Sequence, residues 1–311
     1  MQRISTSDAY AAVIANMQAA QTQLNTASSQ ISSGETATDL QGYAAHAETL
    51  TAMQTVQNNV TSFISQDTLL ANKLTAQSSG LQQIAGAATG ASQAITSAIA
   101  GGQGDQMMQA LETQFQNAAE GLNSTYNGEY LFAGGQVTTA PVNASSMSAL
   151  ASASPLSSIF QNDQQITSNQ IDQDTTVQTG FLASNLGAPL MGAFQAIQAY
   201  ANANGPFTGQ LTTAQVTFLQ TQVTALNAAA STLNGQAAQN GGMQSQLSNI
   251  QIDLGNQQNS LGSMIGGIAG ANVAQATANL QQAQLAIQAS AQVFLSLQNS
   301  SLLAVLQASG H

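Results

Sequence analysis

The chain has 311 residues with only 2 Lys+Arg against 13 Asp+Glu, for a formal net charge of −11. Charged residues are 5% of the chain, against about a quarter in an ordinary globular protein. Arg3 and Lys73 cannot neutralise a phosphate backbone, which argues against nucleic-acid binding. Without Cys there is no disulfide framework, thiolate nucleophile or zinc knuckle.

The first 35 residues place Tyr10, Met17, Leu24 and Ile31 seven apart, with Val13, Ala20 and Ala27 between them. A 3.5-residue apolar repeat predicts a helix with one face sealed against another helix. This opening lacks the continuous apolar stretch of a secretory signal; if the protein leaves the cell, it does so by a route that reads no such signal. Ser32-Ser33-Gly34 closes the helix.

From residue 53 to 98 the same repeat runs through Met53, Val56, Val60, Phe63, Asp67, Leu70, Leu74, Gln77, Leu81, Ile84, Ala88, Ala91, Ile95 and Ala98. Only Asp67 and Gln77 interrupt it, and no Pro falls within it, so a rod-like helix is predicted. The glycines of Ala100-Gly101-Gly102-Gln103-Gly104 give a reversal. Asp105 is placed to cap a following helix that carries Leu111, Phe115, Ala118 and Leu122.

Only the middle departs from helix. Asn127-Gly128, followed by the β-prone run Glu129-Tyr130-Leu131-Phe132 and the turn Gly134-Gly135, predicts a hairpin. Residues 137–182, rich in Ser, Thr, Ala and Asn, read as a small β-containing insert at the surface. Helix resumes with Leu219, Val223, Leu226, Ala230, Leu233 and Ala237. A second seam, Leu247, Ile250, Leu254, Leu261, Met264 and Ile268, is expected beyond an interruption at Asn240-Gly241-Gly242. The last forty residues mirror the first, with Val273, Leu280, Ile287 and Phe294 seven apart and Ala276, Ala283 and Leu297 offset from them.

The predicted fold is therefore mainly α: an elongated antiparallel helical bundle or coiled-coil rod with paired terminal helices, a short β-hairpin and a small β-containing insert. Three parts are expected: 1–35 with 270–311 as a terminal helical pair for assembly, 36–136 with 183–269 as a helical rod, and 137–182 as the insert. Tyr10, Met17, Leu24, Ile31, Leu280, Ile287, Phe294 and Leu297 are the candidate assembly residues.

The chemical inventory is thin. His46 is the only internal histidine, and Glu48 two residues on does not share its helix face. Asp172 and Asp174 fall short of the six or more oxygens that Ca²⁺ takes, and read as a solvated turn. Gly101-Gly102-Gln103-Gly104 follows a helix rather than a strand, with no Gly-Lys-Ser/Thr after it, so it is no phosphate cradle. Met107, Met108, Phe115 and Phe132 read as core. The Ser/Thr cluster of residues 138–158 suits either a flexible linker or an exported surface that accepts glycans. No catalytic residue, cofactor site or metal site is expected, and no enzyme activity. No apolar run approaches the roughly 18 residues of a membrane span.

Several segments together resemble the flagellin superfamily: Ile4-Ser5-Thr6 at the start, Ser32-Ser33-Gly34, Asn127-Gly128-Glu129-Tyr130-Leu131-Phe132-Ala133-Gly134, and the last helix from Asn279-Leu280 to Leu302-Leu303. The likeness covers residues 1–136 and 180–306. The Arg3-Ile4-Ser5-Thr6 opening and Tyr130-Leu131-Phe132-Ala133-Gly134 are more similar to the hook-filament junction branch, the hook-associated protein 3 type, than to filament flagellin. The chain departs from many members at Glu35, where a basic residue is common, and in Ala37-Thr38-Asp39-Leu40-Gln41-Gly42, which lacks the paired carboxylates common there. The resemblance implies an extracellular structural subunit of the bacterial flagellum, exported unfolded through the type III apparatus. Its implied partners are other copies of itself, hook-associated proteins and flagellin subunits, and an export chaperone on the C-terminal helix. Filament flagellin is the near alternative, and a secreted coiled-coil translocator or adhesin the distant one.

Overall fold

A seven-residue apolar repeat without proline closes most readily as helix, and helix dominates the computed structural model. The structure describes residues 2–308 along the backbone and residues 7–299 with their side chains. In chain order the helices are α1 (Gln2–Ser33), α2 (Ala47–Gly101), α3 (Met107–Leu122), α4 (Met147–Ser152), α5 (Ala183–Asn204), α6 (Thr213–Ala269) and α7 (Val273–Ala308). Two antiparallel hairpins, β1 (Thr125–Tyr126) with β2 (Glu129–Tyr130) and β3 (Ser168–Gln170) with β4 (Thr176–Gln178), complete the mainly-α fold. The chain forms two compact units, Val60–Asn256 and Met1–Asn59 with Gln257–His311.

The unit Val60–Asn256 carries the large core. Within it the α2 repeat turns Leu70, Leu74, Leu81, Ile84 and Ile95 fully inward. Leu111, Phe115, Ala118 and Leu122 of α3 are 0% exposed. Phe194 of α5 meets Phe115 edge to face at 5.8 Å, a geometry favoured by the ring quadrupoles. Leu219, Leu226 and Leu233 of α6 close the remaining side. The reversal after α2 is made by Gly102 at φ +66, and its carbonyl accepts from Leu211 N at 3.0 Å. Here α6 therefore begins beside the end of α2 and runs back along it, so that Asn240 reaches Leu74 O at 2.8 Å.

Two expectations are corrected here. Asp105 does not cap α3, whose N-cap is Gln106 without a side-chain bond; its Oδ1 instead accepts from Gly209 N at 2.7 Å, tying the reversal to the loop before α6. Nor does Asn240-Gly241-Gly242 interrupt the helix, since α6 passes straight through. Glycine costs a helix roughly 1 kcal/mol against Ala. The buried Asn240 amide on Leu74 O, joined by Gln244 Nε2 on the same oxygen at 3.1 Å, anchors the segment from the packed side.

Asp67 and Gln77, the two polar positions of the α2 repeat, are both 1% exposed. Asp67 Oδ2, Gln77 Oε1 and Asn240 Oδ1 have no hydrogen-bond partner among the described residues. Burial, and secondarily the charge of Asp172, raise the Asp67 pKa from 3.8 to about 6. Buried polar groups in a helix seam cost stability while disfavouring shifted registers.

The first hairpin forms as predicted. Asn127 (φ 51) and Gly128 (φ 83) are both left-handed, the pairing required by a two-residue turn that matches strand twist. Phe132 beyond it is completely buried, and a Cβ on Gly80 of α2 would lie 2.9 Å from its ring. The region 137–182 contains its β-hairpin, yet it is more than a surface element. Val142, Met147, Leu150, Ile159 and Ile171 are buried, so its few apolar residues point into the shared core. Glu112 of α3 accepts from Met147 N at 3.1 Å, fixing the start of α4. Asp172 accepts from Asp174 N and Thr175 N, each at 2.7 Å, which closes the β3–β4 turn and, outweighing its partial burial, lowers its pKa. Met107 and Phe115 lie in this core, and His46 is exposed.

Candidate assembly interface

The second unit is organised by its terminal helices. The chain leaves α1 through Gly34, whose φ of +72 suits glycine, and Gly34 N closes on Gln30 O at 3.0 Å. The next residues meet the α6–α7 link. Thr36 N donates to Ala269 O at 2.7 Å and Ala271 N to Gly34 O at 2.8 Å. Thr36 Oγ1 donates to Gly270 O at 3.1 Å. Asn272 Oδ1 then caps α7 by accepting from Gln275 N at 3.1 Å. This clasp sets the end of α1 against the start of α7, and the two helices pack antiparallel from there.

Along the pair, sequence spacing and burial agree in phase and differ in degree, except that Val273, predicted to open the α7 stripe, is 48% exposed at the helix start. The fully enclosed positions are Ala20, Ala27, Ala276 and Ala283, at 4%, 2%, 2% and 0% exposure. Tyr10, Met17, Leu24 and Ile31 of α1, with Leu280, Ile287, Phe294 and Leu297 of α7, are all half-buried. Tyr10 and Phe294 face each other edge to face with centroids 5.5 Å apart. The structure thus brings all eight predicted residues onto the flanks of one alanine-lined seam. Close approach of two helices through small residues leaves larger neighbours splayed at the edges, where one partner helix cannot cover them.

Sequence reasoning passed over other exposed side chains on these helices. Leu285 is 66% exposed, Leu295 56%, Val293 48% and Ile14 46%. They fall off the heptad, so periodicity carries no signal for them. The clasp residues Thr36, Gly270 and Asn272 were also missed, because a pairing of two loops 234 residues apart has no local pattern. Arg3, Ile4, Ser5, Thr6, Leu302 and Leu303 lie where only the backbone is described. Among the described residues there is no cluster of three His, Cys, Asp or Glu able to hold a metal, and no helix long and apolar enough to cross a membrane.

A mainly-α chain whose first and last helices pair, with a glycine hairpin between, is a known architecture. Residues 4–137 match the family profile of the bacterial flagellin N-terminal helical region. No curated protein sequence matches the chain. Among solved structures, a protein from Vibrio parahaemolyticus assigned to the flagellar hook-associated proteins superposes with a TM-score of 0.59 at 12% identity, over 72% of this chain and 97% of that one. FlgL from Bacillus cereus superposes with a TM-score of 0.52 at 14% identity, over 70% and 99%. At such identities the likeness is one of fold.

Proposed function

We propose that this chain is a structural subunit of the bacterial flagellum, acting outside the cell at the junction between hook and filament, and that it assembles through α1 and α7. The observation that carries the reading is the alanine-sealed terminal seam, which leaves Tyr10, Met17, Leu24, Ile31, Leu280, Ile287, Phe294 and Leu297 half-covered. A buried methyl-sized group contributes about 0.8 kcal/mol, whereas ordering one residue costs on the order of 1–2 kcal/mol. A seam of alanines is therefore a weak clamp for two long helices, and further apolar cover from neighbouring copies completes it. Residues 1–35 with 270–311 serve as the assembly part, and the remaining helical segments and the 137–182 region as the load-bearing body.

Neighbouring copies, hook-associated proteins and flagellin subunits supply the missing cover. An export chaperone shields the C-terminal helix before then, and the chain leaves the cell unfolded by the type III route. With a net charge of −11 and two cations, contacts between copies rest on apolar burial and amide hydrogen bonds and respond only weakly to salt. Locating a tagged copy on the cell tests the proposal. A single focus at the base of each filament is expected; labelling along the whole filament would make it flagellin, and labelling away from flagella would favour the coiled-coil adhesin.

A further inference from the structure

The sequence holds four Asn-Gly pairs: Asn127-Gly128, Asn204-Gly205, Asn234-Gly235 and Asn240-Gly241. In such a pair the glycine nitrogen can attack the asparagine Cγ, since glycine has no side chain to hinder the approach or restrict the backbone. The nitrogen gives up its proton to solvent base and bonds to Cγ. Ammonia then leaves, and a five-membered imide remains. Water opens the ring at either carbonyl, so the overall change is amide plus water to carboxylate plus ammonium, with the backbone left as aspartate or isoaspartate. No oxidant or cofactor is required.

The fold separates the four pairs. Asn234-Gly235 and Asn240-Gly241 lie inside α6, where each glycine N–H is held by the carbonyl four residues back. Asn240 is also 0% exposed, with its amide donated to Leu74 O. Asn204 ends α5, and its Nδ2 donates back to Tyr200 O at 3.2 Å, drawing the amide over the preceding turn. Asn127 differs. It is exposed at the tip of the β1–β2 loop. Neither its side chain nor Gly128 N makes a hydrogen bond among the described residues.

We propose that Asn127 is a self-modification site, at which the Gly128 nitrogen converts the side-chain amide to a carboxylate ahead of the other three pairs. The product has a defined setting. Asn127 lines a groove with Lys73, Tyr126, Glu129 and Asn169, and Lys73 is the only lysine of the chain. The aspartate product keeps the left-handed turn, which Asp tolerates, and puts a new negative charge into the groove of that lysine. The isoaspartate product lengthens a two-residue loop whose register is Tyr126 with Glu129, and so loosens the hairpin. In the extracellular role proposed above, the mark would accumulate with age.

The test is peptide mass spectrometry of the full chain, incubated in mildly alkaline buffer both folded and in denaturant, with conversion followed at all four pairs. In denaturant the four should convert at similar rates. In the folded protein Asn127 should stay within about threefold of its unfolded rate, while Asn234 and Asn240 slow by about tenfold or more, as groups that react only through local opening do. Asn204 is expected between them. Protection of Asn127 equal to that of Asn240, or conversion of Asn204 first, would overturn the proposal.

Discussion

Leu74, Leu81, Ile84 and Ile95 of α2 are closed off completely in the unit Val60–Asn256, whereas Tyr10, Met17, Leu24 and Ile31, set at the same kind of spacing in α1, remain half-buried. The difference lies in what faces them. The α2 stripe is met by α3, α5 and α6 together, with Phe115, Phe132 and Phe194 filling the volume between. The α1 stripe is met by α7, and among the described residues alanine occupies the most enclosed positions. One heptad pattern thus builds a finished core where several helices converge and a half-covered face along the terminal pair.

The largest expected effect is on assembly. Leu280→Asp with Ile287→Asp should abolish incorporation into the flagellum, while the isolated protein stays soluble and helical by circular dichroism. Normal incorporation would remove the terminal seam from the assembly surface and erase the contrast with the core. In the central unit, Phe115→Ala should cost about 3–5 kcal/mol, read as a lowered midpoint in denaturant titration. The matching truncation Phe294→Ala in the half-buried seam should cost clearly less in the free subunit.

Asp67 supplies a pH test of the central unit. Its folded pKa, about 6, lies above the ordinary 3.8, so the folded state holds the proton more tightly than the unfolded chain. Stability from this group is complete below about pH 4 and is lost as pH rises through 6, by on the order of 2–3 kcal/mol. Asp67→Asn should therefore flatten that part of the stability–pH curve, with the variant more stable than the parent at pH 7 and the gap closing in acid. An unchanged slope in the variant would show that the carboxylate ionises as freely folded as unfolded. The smallest effect is expected at Gly241, where an added Cβ meets nothing within 4 Å. Gly241→Ala should stabilise α6 by about 0.5–1 kcal/mol, measured by thermal unfolding, provided the helix is continuous there.

Much of this fold was legible from spacing. The α2 repeat, the α3 stripe and the Asn127-Gly128 turn are local patterns, and each appears at its predicted place. Asp105 misled because a carboxylate before a helix serves equally well as a cap or as a partner for a distant amide, and Gly209 N is 104 residues away. Asn240-Gly241-Gly242 misled because weak helix propensity is overridden when a buried amide is held from across the seam. The Ser/Thr-rich 137–182 region looked peripheral because composition averages over residues, while burial depends on which few of them point inward.

What the order of residues settled here was periodicity: which stretches become helix, where glycine turns the chain, and which side chains share a face. Those follow from interactions within a few residues, and a single chain read in order contains them. How completely each face is covered came from three-dimensional packing. Val60 and Val56 belong to one repeat, yet the first is 4% exposed and the second 42%. Burial is decided by neighbours that lie far away along the chain, and in the terminal helices those neighbours are too few to close the seam.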